Sequence, residues 1–263
     1  MWNFYLRKNF KRLLSKSLRQ SGEIVYLPFN GINFPVHLSN INKKDGLRIH
    51  KNGELALEES WKNFWINAFE PGDTVLDIGG YIGLVSIPLA FFGGMVHTFE
   101  GSPRNYNRIR DICSPLRQIN IHPVALSNKK KQCITRFNDC IDGEHPEQEV
   151  TYVVYDEYAK ENNIPNPKFV KMDIEGMESI ALLGMTNLLE NIRPVWQLEW
   201  HGHFDRSYSD YPGFVSYEAG GFDFNRFSAL DYTIYTEDFK IVEKMDTPRN
   251  YFIFPNERLP KNL

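Results

Sequence analysis

Apolar and polar positions follow one another with a period that changes along the chain, and each change predicts an element. Ile24–Phe29 and Phe34–Leu38 are strand-like runs on either side of Asn30-Gly31, a turn pair that favours a hairpin. Over Glu54–Phe69 the period is helical: Trp61, Phe64, Trp65, Ala68 and Phe69 make one stripe, closed by Pro71-Gly72. Beyond it, short apolar runs and helical stretches take turns. Strands are predicted at Thr74–Ile78, Met95–Glu100, Asn120–Ala125, Phe169–Asp173 and Pro194–Glu199, and helices at Gly83–Phe92, Arg104–Cys113 and Met177–Leu189. Gln132–Phe137 and Val150–Val154 read as an inserted pair, joined by the polar, acidic stretch Asn138–Glu149. Tyr232–Tyr235 and Asn250–Phe254 read as antiparallel closing strands. Apolar strands alternating with helices predict an α/β fold: a mostly parallel, seven-stranded sheet with helices on both faces. Residues 1–53 form an extension of basic helix and hairpin, and residues 54–263 the main domain.

Composition narrows the function classes. The 263 residues are 42% apolar and 24% charged, which excludes a disordered chain, a collagen-like chain and a coiled coil. A net charge of −3 argues against DNA as a partner, since that affinity rests on excess cations. Cys113, Cys133 and Cys140 show no C-x-x-C spacing, so neither a disulfide framework nor a zinc ribbon is expected, and the default compartment is the cytoplasm. No apolar run reaches the roughly 18 residues of a membrane span. The first twenty residues stand apart, with Arg7, Lys8, Lys11, Arg12, Lys16 and Arg19 and no acid before Glu23. Leu6, Phe10, Leu13 and Leu14 recur at helical spacing among them. Residues 1–20 are therefore a candidate peripheral contact with an anionic membrane surface. A terminal helix packed on the domain, with its cations in water, is the commoner use of such a pattern.

The chemistry begins at Val75-Leu76-Asp77-Ile78-Gly79-Gly80-Tyr81-Ile82-Gly83, where a buried strand runs through a glycine turn into a helix. Glycine there lets the backbone approach a nucleotide cofactor closely. A dinucleotide fingerprint ending at Gly83 needs glycine at position 78, which is Ile78, so a dehydrogenase is disfavoured. Asp77 would repel a pyrophosphate and attract a cation. S-adenosylmethionine carries an ammonium and a sulfonium and suits this turn. Glu100 ends the next strand, 21 residues after Gly79, where a carboxylate can accept from two ribose hydroxyls. Ser102 and Asn105 follow within reach of the same ribose, and Ala125 ends the third strand as a slot for adenine.

Two further strand ends carry acids and imidazoles. Lys171-Met172-Asp173-Ile174-Glu175-Gly176 closes the fourth strand, on the edge of an open sheet where ligands bind. Asp173 can hold the methionine ammonium or take a proton as general base. Glu175 is either part of that site or a helix N-terminal charge. Glu199-Trp200-His201-Gly202-His203 closes the fifth strand, with Glu199, His201 and His203 on one side of an extended chain. His201 is a second candidate base near neutral pH. The three could hold a divalent metal, but loop histidines without a ligand are commoner, and no metal is assigned. The aromatic and polar stretch with Phe204, Arg206, Tyr208, Tyr211, Phe214 and Tyr217 suits a sugar ring, or packs as a cover over the sheet edge.

Together, PGDTVLDIGGYIG (71–83), VHTFEGSPRNYNRI (96–109), HPVALSN (122–128), FVKMDIEGMESIALLGM (169–185) and RPVWQLEWH (193–201) resemble the FkbM family of S-adenosylmethionine-dependent methyltransferases. The tail LDYTIYTED with NYFIF is similar to that family's last strands. The resemblance implies a class I, Rossmann-like methyltransferase fold, commonly with O-methylation of a hydroxyl on a sugar or polyketide. It places Asp77, Gly79, Glu100 and Asp173 around the cofactor. The chain departs from the family at Gly79-Gly80-Tyr81, where Gly-Ala-Asn is usual, and at Glu100-Gly101, where Glu-Pro is usual. The expectation is an O-methyltransferase acting on a sugar or glycan. The rivals are an RNA or protein methyltransferase, suggested by Lys171-x-Asp173-x-Glu175 and the basic start, and a non-catalytic cofactor-binding module.

Overall fold

Segments rich in β-branched and aromatic residues pair as the pattern predicts, and the prolines and glycines between them decide where pairing stops. The computed structural model describes residues 24–29, 32–37, 59–113, 116–136, 147–201, 222–245 and 249–260. These fall into two units. The smaller contains β1 (Ile24–Phe29) and β2 (Ile32–His37), antiparallel, with Ile24 opposite His37 and Phe29 opposite Ile32. This is the expected hairpin. Its turn pair and the basic residues 1–20 lie outside the described residues.

The larger unit begins with α1 (Glu59–Ala68), β3 (Thr74–Ile78), α2 (Ser86–Phe91), β4 (Met95–Phe99), α3 (Pro103–Cys113) and β5 (Ile119–His122). Next come β6 (Ala125–Leu126), β7 (Lys131–Arg136), β8 (Glu147–Val153), α4 (Tyr155–Glu161), β9 (Phe169–Met172) and α5 (Glu178–Leu183). It ends with β10 (Val195–Trp200), α6 (Asn225–Ala229), β11 (Tyr232–Thr236), β12 (Ile241–Val242) and β13 (Arg249–Pro255). The main sheet has the order β12-β11-β13-β10-β9-β3-β4-β5. Strands β10, β9, β3, β4 and β5 are parallel neighbours, and β13 joins β10 antiparallel. Eight strands replace the seven expected, because Ile241 and Val242 pair with Tyr235 and Ile234 at the edge. The predicted strand Asn120–Ala125 divides at Pro123, which has no N–H to give. Its second part becomes β6 and joins a separate sheet, β6-β8-β7, the inserted pair plus one short strand.

Chain order reverses at β3. The chain builds outward through β4 and β5, then returns to lay β9 and β10 on the other side. Right-handed crossovers therefore put α2 and α3 on one face and α5 on the other. On the first face Phe64 stacks on Phe252 at 3.9 Å and meets Phe169 and Phe254 edge-on. On the second, Met172, Trp196, Leu198 and Ile253 pack with Ala181, Leu182 and Phe227. The predicted helix Met177–Leu189 is interrupted: α5 stops before Gly184, and Leu188–Ile192 forms a π-helical turn. A Cβ on Gly184 would lie 2.3 Å from the Ser127 carbonyl oxygen, so the close approach demands glycine there. Helices α4 and α6 lie where none was predicted.

One feature of the first face runs against the apolar pattern. Thr98, Asp77, Lys171 and Gln197 sit in register across β4, β3, β9 and β10, all buried. Most of their polar atoms are paired. Thr98 Oγ1 donates to Ser86 Oγ at 2.9 Å, and Ser86 donates to Asp77 at 2.5 Å. The Trp65 indole N–H donates to Gln197 at 2.7 Å. Buried polar groups are tolerated when paired in this way.

Candidate active site

The site forms where the chain order reverses, at the carboxyl ends of β3 and β9. Ligands of open α/β sheets bind at such switch points. Gly79 leaves β3 with φ +89°, and a Cβ there would stand 1.7 Å from the Asp173 carbonyl oxygen. Only glycine lets the two strand ends close to this distance. At Gly80 a Cβ would meet the Thr98 methyl at 2.2 Å. Tyr81 has φ 50°, and Gly83 has φ 87° just ahead of α2. The Tyr81 backbone N–H donates to Glu100 Oε2 at 2.7 Å.

Glu100 is buried, and its other oxygen accepts from the Ser102 N–H at 2.8 Å. Burial pushes its carboxyl up to about 7, against the pull of the Ser102, Tyr81 and Asn105 donors. Ser102 Oγ donates to Gln148 Oε1 at 3.0 Å and receives the Asn105 N–H at 3.3 Å. Glu100, Ser102 and Asn105, candidates for a ribose in the sequence, are thus brought together, with Gln148 of the inserted sheet added to them. Ala125 lies half-buried at the start of β6, beside Val124. Asp77 is not at the surface of the turn. It is fully buried, and burial raises its carboxyl to about 6, opposed by Lys171 and the Ser86 hydroxyl.

Asp173 accepts from Lys171 Nζ at 3.0 Å, and that ammonium is itself buried. Burial works to raise the Asp173 carboxyl, but the Lys171 and His201 charges outweigh it and hold it low. His201 brings β10's end to β9's. Its Nδ1 is 3.1 Å from Glu178 Oε1, and its Nε2 is 3.7 Å from Asp173 Oδ1, 3.7 Å from Glu175 Oε2 and 3.9 Å from Glu199 Oε1. Glu178 Oε1 also accepts the N–H groups of Ile174 and Gly176 at 3.1 Å each. Burial acts to lower the His201 pKa, but the Glu178 hydrogen bond and the Glu178, Asp173 and Glu175 charges raise it to about 9. His201, the second candidate base, is thus held among carboxylates that favour its protonated form more than water does. Glu199 goes up to about 7, through burial and the charge of Asp173. Glu175 is exposed, at φ 55°, and partial desolvation of its carboxyl, then Asp173's charge, raises its pKa.

Asp173, Glu199 and His201 are thus brought together, with Glu175 at their margin. His203 and the aromatic stretch from Phe204 to Tyr217 lie outside the described residues. Sequence reasoning missed Glu178, which reads as an ordinary acid in the first turn of a helix but is wholly buried. The residues fit the expected cofactor. Glu100 keeps lone pairs beyond its two backbone donors, and Asp77 Oδ1 is sealed from water without a hydrogen-bond partner among the described residues.

This fold, with a glycine turn and acidic strand ends at its switch point, is that of a class I methyltransferase. A profile of the Methyltransferase FkbM domain matches residues 77–230, more than half of the 263. The chain belongs to the FkbM methyltransferase family. Among solved structures, it resembles methyltransferase FkbM from Methylobacillus flagellatus at 16% identity and a TM-score of 0.45, over 71% of this chain and 44% of that one. It spans less than half that protein's length. Precorrin-6y C5,15-methyltransferase from Geobacter metallireducens aligns at 14% identity and a TM-score of 0.42, over 80% of this chain and 92% of that one. A Streptococcus mutans methyltransferase solved with S-adenosylhomocysteine aligns at 10% identity and a TM-score of 0.42, over 75% and 98%. No curated protein matches this chain.

Proposed function

We propose that the chain transfers the methyl group of S-adenosylmethionine to a hydroxyl of a sugar or glycan. The observation that carries this reading is the carboxylate pair Asp173 and Glu199, set beside His201 at the switch point. When bound, the cofactor supplies an activated methyl group on a sulfonium. The protein's work is alignment and proton removal. Glu100, with Ser102 and Asn105 behind it, holds the ribose, and the Gly79–Tyr81 turn carries the backbone past the cofactor. Lys171 fixes the Asp173 carboxylate by a 3.0 Å ion pair. Asp173, with Glu199 beside it, would take the acceptor hydroxyl's proton as the methyl group passes from sulfur to oxygen. The His201 ring, gripped by Glu178, sets the position of that pair. General-base help of this kind is typically worth ~10²–10⁴-fold.

The RNA reading finds less support. Lys171, the cation of the sequence triplet, is 2% exposed and committed to Asp173, so it is closed to a phosphate. The test is S-adenosylhomocysteine formation with free, nucleotide-linked and polymeric sugars, against RNA and protein extracts. Turnover with sugars is expected, and Asp173→Asn and Glu199→Gln each reduce it at least ~100-fold. Product with RNA or protein alone would sink the proposal, and no product with any extract would favour a binding module.

A further inference from the structure

We propose that Asp173, Glu199 and His201 bind a divalent metal ion, with Glu178 as the residue that aims the imidazole. The proposal deepens the functional reading, because an ion here would take the acceptor hydroxyl as a further ligand. Ion binding itself stands independently of that reading.

The geometry comes first. One ligand atom from each of the three residues lies within 4.8 Å of the others. His201 Nε2 is 3.7 Å from Asp173 Oδ1 and 3.9 Å from Glu199 Oε1. Ligands at about 2.0–2.2 Å from one metal stand at most about 4.4 Å apart, so both spacings fit a shared ion. Two carboxylates and one imidazole suit a borderline-hard ion such as Mn²⁺ better than a soft one.

The outer contacts point the same way. Metal-bound histidines almost always donate their other N–H to a carboxylate or carbonyl, which fixes the tautomer and the ring's orientation toward the ion. His201 does this through Nδ1, to a Glu178 that is 0% exposed and anchored by two backbone N–H groups. A surface histidine has no need of so rigid a support. The second Glu178 oxygen is shut off from water and has no hydrogen-bond partner among the described residues. Four carboxylates, Asp173, Glu175, Glu178 and Glu199, also lie within 3.9 Å of the one imidazole, and Lys171 pairs with Asp173 among them. The trio differs from the one the sequence offered: the parallel register of β9 and β10 brings Asp173 to Glu199 and His201.

The experiment titrates the EDTA-stripped full chain with Mn²⁺ and follows the six-line electron paramagnetic resonance signal of the free ion. The expected result is loss of that signal with one ion per chain. Pulsed measurements on the wild-type complex should also show coupling to one imidazole nitrogen, which needs no variant. Asp173→Asn and His201→Ala should abolish binding. Glu178→Gln, which keeps an acceptor for Nδ1 and the backbone donors, should weaken it about 10–100-fold with an unchanged far-ultraviolet dichroism spectrum. A free-ion signal left undiminished by wild-type protein, the absence of nitrogen coupling, or wild-type binding by His201→Ala each overturns the site. Mn²⁺ binding without methyl transfer to any sugar would retain the metal site and reject the proposed acceptor. Methyl transfer untouched by EDTA, with no Mn²⁺ bound, would do the reverse.

Discussion

Two residues, Gly79 of the glycine turn and Glu100 after the neighbouring strand, shape the side of the site that the proposed function gives to the cofactor. Gly79 has both a left-handed backbone and a carbonyl 1.7 Å from where a Cβ would sit, so Gly79→Ala must push β3 and β9 apart. The backbone penalty is roughly 1–2 kcal/mol and the steric one roughly 1–3 kcal/mol. Urea unfolding should report their sum, and calorimetry should find S-adenosylhomocysteine binding lost. Glu100 makes a prediction in pH. Its pKa is raised from 4.5 to about 7 in the folded chain, by burial and by the more distant Asp77 charge, against three donors. A raised carboxyl stabilises the fold fully below 4.5 and loses that contribution as pH climbs through about 7. The loss is on the order of 3 kcal/mol. Ribose hydroxyls donate to the ionised form, so S-adenosylhomocysteine affinity should rise over the same interval. Glu100→Gln should flatten both curves, and a wild-type affinity that falls from pH 6 to 8 would contradict the assignment.

Among the elements, α1 is the clearest case of pattern becoming packing. Its stripe was legible as Phe64, Trp65 and Ala68, and Phe64 is 0% exposed between Phe252, Phe169 and Phe254. Phe64→Ala should cost about 3–5 kcal/mol in urea unfolding, with the m-value unchanged. Strands β3, β4, β9 and β10 were legible for the same reason, since apolar runs buried on both faces have few alternatives. The Met177–Leu189 helix was not legible as two pieces. The signal was Gly184, whose reason is the Ser127 carbonyl 57 residues earlier in the chain, invisible to local periodicity. Glu178 was hidden in the same way. Its partner His201 arrives from another strand, and an acid opening a helix looks like an ordinary response to the helix dipole. Helix α4 escaped because Tyr155–Glu161 has just seven residues, too few for a stripe to repeat.

At the scale of the molecule, Thr98, Asp77, Lys171 and Gln197 form a polar seam through an otherwise apolar core. Lys171 is its keystone, facing Asp77 in register and holding Asp173 by an ion pair. Lys171→Met keeps the stem and removes the charge, so two carboxyls lose their counterion. Removing one partner of a buried pair costs roughly 3–5 kcal/mol, and thermal unfolding at neutral pH should show a loss of that size. A variant as stable as wild type would mean the seam is held by its hydrogen bonds alone. The switch point also sets an order of events during synthesis. Gly79 and Asp173 touch across the crevice, yet 94 residues of chain separate them. A ribosome must deliver all of β9 before the two halves can meet, and pairings of such separation form late. A nascent chain released before that point has its glycine turn but lacks the wall that turn leans on. The turn and its wall can therefore come together no earlier than the delivery of β9.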